Sequence, residues 1–259
     1  MKALTIILLL FLGCIAGYLL LLIVSALCVN SRRNYRKDSR FYRALLYSAT
    51  AICLRLMRIH LQVEGLEKIP AEGRFVVVGN HRSNFDPIIT WQLLRRNQLA
   101  FLSKEANFHI PIFGRIIRRC CFMAIDREDA RKALVTVNQS IDLLQNDAVS
   151  IAVYPEGTRS KQGVLLPFHN SVFRIPQRAG VPLVVLTMQG TEKIHTNFPW
   201  RASTVRVRIC EVIPPEEMAG RHTSEIGNRV RATMLDSLEE ENAWQATNLI
   251  QDIPMRKAE

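Results

Sequence analysis

His81 and Asp86 stand with four residues between them in Gly79-Asn80-His81-Arg82-Ser83-Asn84-Phe85-Asp86-Pro87, directly after an apolar run. An imidazole takes up and returns a proton near neutral pH, and a carboxylate on its second nitrogen fixes the tautomer and stabilises the charged ring. The run predicts a strand ending at Gly79. Pro87 predicts the start of a helix, where proline is favoured, with Asp86 as its N-cap. His81 then sits in the strand-to-helix turn, and the carboxylate five residues on can fold back to the ring. With six histidines and eight aspartates in 259 residues, chance alone supplies such a pair roughly one time in five. A plain helix cap beside an ordinary loop histidine has the same sequence.

A second segment, Val153-Tyr154-Pro155-Glu156-Gly157-Thr158-Arg159-Ser160, also follows an apolar run. Gly157 permits a tight turn, and the Arg159 guanidinium offers a fork of donors that suits phosphate. Taken alone, this is equally the pattern of a solvated loop with a surface arginine.

Taken together, the two segments resemble the glycerolipid acyltransferases, specifically the 1-acylglycerol-3-phosphate acyltransferases. The pair Asn-His-x4-Asp and Pro-Glu-Gly-Thr-Arg-Ser carries the likeness. It extends in order through Val63–Pro70, Ser103-Lys104-Glu105 with Pro111-Ile112-Phe113-Gly114, Ile125-Asp126-Arg127, and Gly180–Val184. The resemblance implies that His81 deprotonates the acceptor hydroxyl, that Asp86 orients His81, and that no covalent enzyme intermediate forms. It implies that Glu156, Gly157, Thr158 and Arg159 form the acceptor-binding block, with Arg159 and Lys104 on the phosphate and Arg115 as a further basic candidate. The substrates implied are a lysophospholipid acceptor, lysophosphatidate first, and an acyl thioester of CoA or an acyl carrier protein. No cofactor or metal is implied. No G-x-S-x-G elbow points to a serine acyl-enzyme. Two departures stand out. Phe168-His169-Asn170-Ser171-Val172-Phe173 has Ser171 where the family pattern has glycine and lacks its lysines, and Arg119-Cys120-Cys121-Phe122 replaces a usual glycine before Asp126.

The elements that must position these residues follow from periodicity. Apolar runs predict strands at Arg74–Gly79, Leu99–Leu102, Cys121–Ile125, Val149–Tyr154, Val181–Met188 and Val205–Ile213. The last alternates apolar and polar residues, as an edge strand with one wet face does. Helices are expected over Pro87–Arg96, Arg127–Asn146, Val172–Ala179 and Thr223–Glu240. Strands alternating with helices predict an α/β fold, a three-layer domain with a largely buried sheet flanked by helices. Arg115, Arg118 and Arg119 cluster at helical spacing, as a phosphate or CoA patch does and, slightly more often, a solvated face, and Cys120-Cys121 is expected in a buried strand.

Ahead of this domain, Leu4–Val29 is uncharged and longer than the about 20 residues a spanning helix needs. It is also longer than the apolar core of a signal peptide, about 7–15 residues. Arg32, Arg33, Arg36, Lys37, Arg40 and Arg43 follow it with only Asp38 to offset them, which places the downstream chain in the cytoplasm. Phe41–Leu61 is a second, shorter apolar stretch. Arg55 and Arg58 at i, i+3 suit a helix lying on an anionic leaflet, and an amphipathic helix packed on the domain suits it as well. The expected organisation is an anchor over 1–30, a basic flank and interfacial or packed helix over 31–62, and a catalytic domain over 63–259.

The formal charge of +11 calls for an anionic partner. Six of the basic residues sit beside the apolar segment and no nucleic-acid module is recognisable, so a membrane surface is expected rather than nucleic acid. The six cysteines show no CxxC spacing and read as reduced, with neither zinc nor a disulfide framework. Two other functions remain open: a lysophospholipid-remodelling acyltransferase with another headgroup, and a non-catalytic protein binding anionic lipid.

Overall fold

A computed structural model describes residues 2–31, 33, 35–126, 129–160 and 163–251; Arg32 and Arg127, both invoked above, lie outside the described residues. The chain opens with α1 (Lys2–Leu27) and α2 (Arg40–Leu56), followed by β1 (Ile59–Glu64) and β2 (Val76–Gly79). Next come α3 (Phe85–Leu93), β3 (Leu99–Lys104), α4 (Phe113–Arg118), β4 (Met123–Ile125), α5 (Ala130–Gln145) and β5 (Ser150–Val153). The rest is α6 (Arg174–Ala179), β6 (Leu183–Gln189), α7 (Ile194–Asn197), β7 (Ser203–Ile213), α8 (Pro215–Met218) and α9 (Thr223–Gln251).

The strands form one seven-stranded sheet in the order β1-β7-β6-β2-β5-β3-β4, parallel except where β6 meets β7. Successive side chains on a strand point to opposite faces, and β2 divides its own residues that way. Val76 and Val78 join one core with Ile141 of α5, Ile175 of α6 and Val230 of α9. Phe75 and Val77 join a second with Leu46 of α2, Ile89 of α3 and Ile117 of α4. Because both faces are covered, β2, β5 and β6 are buried throughout, as parallel strands between helices must be. The three-layer α/β expectation holds.

Three local expectations change. Val205–Ile213 does alternate in burial, but β7 is not an edge strand: β1 pairs along it, Ile59 beside Ser203 and Val63 beside Val207. The edge strand arises because α2 stops at Leu56 and Arg58 turns the chain with φ +53°, so the final residues of the second apolar stretch form a strand. Arg58 is therefore off the helix and does not share a basic edge with Arg55. Cys120 and Cys121 are fully buried as expected, yet they occupy the turn after α4 and the strand begins only at Met123. Cys121 holds φ +60° there, and burial pushes its thiol up to about 12, leaving it inert at neutral pH.

The amino-terminal helices are joined to the domain. α1 is long and apolar enough to cross a membrane, and its final turns dock: Tyr18 Oη lies 2.8 Å from Ser48 Oγ, and Tyr42 Oη donates to the Ser25 carbonyl at 2.9 Å. Arg43, counted above with the basic flank, is buried. It forms two bonds with Asp38, at 2.8 and 2.9 Å, and a third to the Leu99 carbonyl, with its guanidinium over Trp91. Asp38 thus neutralises Arg43 inside the fold, and among the described residues the exposed cations of the flank are Arg33, Arg36, Lys37 and Arg40. Nor do Arg115, Arg118 and Arg119 form a solvated face. Arg118 lies over Phe108, Arg119 over Tyr35 and Tyr42, and Arg115 reaches the Ala26 carbonyl at 3.5 Å.

Candidate active site

β2 and β5 run side by side and parallel, Val78 beside Val153, so both motif segments leave the sheet at the same carboxyl edge. That is where open α/β sheets present their ligand sites. After Gly79 the chain turns through Asn80 and His81 into α3. Asn80 is buried and closes the turn against β6, with Nδ2 donating to the Met188 carbonyl at 2.9 Å and Oδ1 accepting from the Met188 N–H at 2.7 Å. Helix α3 begins at Phe85, two residues earlier than expected, because proline is tolerated anywhere in a first turn whose N–H groups have no helical partner. Asp86 is thus inside the helix rather than its N-cap.

From that position one carboxylate oxygen organises the turn. Asp86 Oδ2 accepts from the N–H groups of Arg82 at 2.6 Å and Ser83 at 2.7 Å, and lies 2.8 Å from His81 Nδ1. Oδ2 is the common acceptor of the turn, and in the tautomer that completes the set Nδ1 donates to it. His81 Nε2 is left as a free acceptor with no hydrogen bond among the described residues. The His81 side chain is 15% exposed and Asp86 is sealed from solvent, an arrangement in which ring and carboxylate cannot drift apart but Nε2 can be reached.

The ring is held from below as well. Tyr154 stacks on it with centroids 4.7 Å apart and planes at 25°, and the Tyr154 hydroxyl is 2.9 Å from Thr90 Oγ1 on α3. Burial, reinforced by the Asp86 charge, pushes the Tyr154 phenol well up, so it is a neutral wall. Gly79 makes room for this stack: a Cβ there would come within 2.8 Å of Leu186 Cδ1 and 3.2 Å of Tyr154 Cε1.

In the second segment Gly157 takes φ +70° and its N–H closes onto the Tyr154 carbonyl, the tight turn its type allows. The residues on either side diverge. Glu156 is buried and faces inward. Its Oε1 accepts from the His81 N–H at 2.6 Å and its Oε2 from the Leu166 N–H at 2.8 Å. Burial pushes its carboxyl up, opposed by the two N–H groups and by His81. Ser160 N–H returns to the His81 carbonyl at 2.8 Å, so the second segment grips the first through both its N–H and its C=O. Thr158 and Arg159 face solvent, and Arg159 carries no ion pair or hydrogen bond among the described residues.

Lys104 ends β3, which pairs with β5 on the side away from β2. It is exposed, without a partner among the described residues, on the same carboxyl edge as Arg159. The structure therefore brings His81, Asp86, Glu156, Gly157, Thr158 and Arg159 to one edge with Lys104 at its flank. Arg115 is directed to the end of α1 instead. Among these contacts, the grip of Ser160, the Leu166 bond and the Tyr154 stack were missed from sequence. The first two are donated by backbone N–H groups, for which the donor's residue type carries no signal. A cavity of about 680 Å³ lies beside β4 and α5, lined by Phe108, Arg118, Phe122 and Lys132 among others, and neither His81 nor Arg159 borders it. In the Phe168–Phe173 departure the aromatic ends pack together, Phe168 meeting Phe173 with centroids 6.2 Å apart and Arg231 of α9 lying over Phe168, while His169 and Ser171 are exposed.

Residues 60–189, half of the chain and inclusive of both segments, match the family model described as Acyltransferase. The chain belongs to the Acyltransferase family. Within that family it is 32% identical over 148 residues to a 1-acyl-sn-glycerol-3-phosphate acyltransferase of Haemophilus influenzae, covering 57% of this chain and 60% of that one. It is 32% identical over 163 residues to a chloroplastic 1-acyl-sn-glycerol-3-phosphate acyltransferase of Brassica napus, covering 62% of this chain and 45% of that one. The match thus spans less than two thirds of either relative. The fold of this family member is also that of the crystal structure of the 1-acyl-sn-glycerophosphate acyltransferase from Thermotoga maritima. That comparison has a TM-score of 0.67 at 24% identity and covers 93% and 98% of the two chains.

Proposed function

We propose that this acyltransferase esterifies the free hydroxyl of lysophosphatidate from an acyl thioester, giving phosphatidate, with His81 as general base. The observation that carries the reading is the bond from His81 Nδ1 to a buried Asp86 oxygen that leaves Nε2 free at the sheet edge. Nε2 takes the acceptor's hydroxyl proton as that oxygen attacks the thioester carbonyl. The carbon–sulfur bond breaks, and the departing thiolate recovers the proton from the imidazolium, so no atom stays on the enzyme. A base of this kind supplies about 10²–10⁴-fold, and the remaining acceleration rests on alignment of the two substrates. Asp86 positions the ring, and Glu156 positions the His81 backbone rather than touching the acceptor. Arg159 and Lys104, exposed cations at the same edge with no partner among the described residues, are assigned to the phosphate, with Gly157 and Thr158 shaping the approach. Arg115 is assigned no substrate contact, because its guanidinium is engaged at the end of α1.

The donor is a thioester of CoA or of an acyl carrier protein, and no metal or other cofactor enters the proposed steps. We place α1 in the membrane and the domain on its cytoplasmic side, because Arg33, Arg36, Lys37 and Arg40 follow the apolar segment. The test is transfer from labelled acyl-CoA to lysophosphatidate in membranes, wild type against His81→Ala. Product from the wild type alone supports the reading. Equal product from both removes His81 as the base. Product from the wild type only with another lysophospholipid moves the acceptor assignment to a different headgroup.

A further inference from the structure

Helix α3 holds the site at two points on one face. Asp86 and Thr90 lie one turn apart on it, both sealed from solvent, so their side chains point the same way. Asp86 Oδ2 is 2.8 Å from His81 Nδ1, and Thr90 Oγ1 is 2.9 Å from the Tyr154 hydroxyl. Those two partners are the rings that stack on each other, with centroids 4.7 Å apart and planes at 25°. The sheet order places β5 between β2 and β3, and Tyr154, directly after β5, meets a ring from each side. One is His81, just after β2. The other is Phe101 of β3, with centroids 6.4 Å apart and planes at 15°. Tyr154 is therefore fixed at its hydroxyl and set between two rings, so it does not follow His81 when that ring moves.

This arrangement supplies what Asp86 alone does not. One hydrogen bond at Nδ1 locates a single atom of the imidazole and leaves the ring able to pivot about that contact. Nε2 swings with any pivot, and a misplacement of about 1 Å between reacting atoms costs about 10²-fold in rate. An aromatic neighbour in offset stacking holds the two planes near parallel and removes that freedom. Charge adds a second effect. When Nε2 takes the hydroxyl proton the ring becomes a cation, which the π face of Tyr154 attracts more strongly than it attracts neutral imidazole. The charged groups around the ring do not substitute for this contact. Asp86 is committed to Nδ1 and Glu156 to the His81 backbone N–H. Arg82 is turned away to the Gly163 carbonyl at 2.9 Å, and Arg159 faces solvent.

We propose that Tyr154 is a positioning residue for the acyl transfer. Anchored by Thr90 and backed by Phe101, it sets the plane of the His81 ring and stabilises the imidazolium formed when Nε2 takes the acceptor's proton. The inference rests on the reading of His81 as general base, and Tyr154 acts through His81 rather than on either substrate. The proton that Nε2 accepts is returned to the departing thiolate, so Tyr154 neither gains nor loses an atom. Its effect is confined to the interval in which the ring is charged. The second segment then holds His81 twice: Tyr154 fixes the ring, and Glu156, two residues on, fixes the backbone N–H.

The test compares Tyr154→Leu and Tyr154→Phe in the full chain, by acyl transfer in membranes and by magnetic resonance of isotope-labelled histidine in detergent. Of the six histidines, the His81 signal is the one lost in His81→Ala. Tyr154→Leu is expected to lower kcat roughly tenfold or more, with KM for both substrates little changed. It should also move the acid limb of the kcat/KM profile, and the titration of the His81 signal, to lower pH by roughly half a unit. Tyr154→Phe keeps the stack, so both pH readouts stay in place and most of kcat is retained. A fall in kcat that follows the thermal midpoint, with the pH readouts unmoved, makes Tyr154 a space-filling residue and overturns the proposal. A Tyr154→Phe variant that loses as much as Tyr154→Leu overturns it equally, since the hydroxyl alone then matters. If Tyr154→Leu does not fold, ring-fluorinated phenylalanines at position 154 keep the shape while draining the π face. A His81 titration that falls with each added fluorine supports the stack, and a flat series overturns it. Full activity in His81→Ala defeats the base assignment and this inference with it, whereas an inactive His81→Ala beside a silent Tyr154 series defeats this inference alone.

Discussion

The turn after β2 and the turn after β5 are built alike, each a short polar segment leaving a fully buried parallel strand at the same edge. They differ in where their carboxylates point. In the first, Asp86 reaches back to the ring of His81 and leaves Nε2 open. In the second, Glu156 reaches across to the backbone of His81, while Arg159 three positions later is left to solvent. One turn presents the reactive group and the other holds the presenter still. The difference teaches that a motif need not be a list of substrate contacts, since an inward carboxylate and an outward guanidinium can sit three residues apart.

That division of labour can be broken, beginning with the largest effect. His81→Ala is expected to lower turnover in the acyl-transfer assay by about 10²–10⁴-fold without moving the thermal unfolding midpoint. An equal fall in both would make His81 structural.

Glu156→Gln is expected next, and in stability before activity. Glutamine keeps one acceptor but sets an amide N–H₂ against a second N–H, an uncompensated donor worth about 1–3 kcal/mol in denaturant unfolding. Acceptor KM should change little. The variant should also alter the pH profile. Burial pushes the folded Glu156 carboxyl above its ordinary 4.5. As pH rises past that ordinary value the unfolded chain releases its proton first, so wild-type stability falls until the folded group ionises too. Glu156→Gln should remove that falling segment from a series of denaturant midpoints.

Arg159→Ala is expected to leave unfolding unchanged, because Arg159 is exposed with no partner among the described residues, and to raise KM for lysophosphatidate roughly tenfold through a lost charge-assisted contact. Should Arg159→Ala destabilise the protein and Glu156→Gln raise KM instead, the two roles are reversed. Lys104→Ala completes the series with a rise in KM of roughly a few-fold, the effect of a flexible point charge at the flank.

Much of this was legible in advance because it depends on local pattern. The runs behind Val76–Gly79, Ser150–Val153 and Leu183–Gln189 read as buried strands, and Gly157 read as a tight turn. Edge order was not legible. β7 looked like an edge strand from its alternation, yet Ile59–Glu64 covers it, and that pairing joins segments about 140 residues apart in the chain. The arginines misled for a related reason. Arg43 reads as part of a basic flank until Asp38 and the Leu99 carbonyl are brought around it. Arg118 and Arg119 read as solvated until the aromatic rings of other segments meet them.

The sequence by itself determined the α/β class, the apolar amino-terminal helix, the spacing that makes His81 and Asp86 a candidate pair, and the two segments that lie within the Acyltransferase match. Each is written within a few residues, in periodicity, spacing or turn chemistry, and needs no distant partner to be read. Only the tertiary structure decided that Asp86 also holds the Arg82 and Ser83 N–H groups, that Glu156 faces the His81 backbone, and that Tyr154 underlies the ring. It alone decided that Thr90, one turn along α3 from Asp86, anchors the Tyr154 hydroxyl. These depend on which strands become neighbours, and strand order follows from burying both faces of the whole sheet at once, a condition that no local stretch of residues can express.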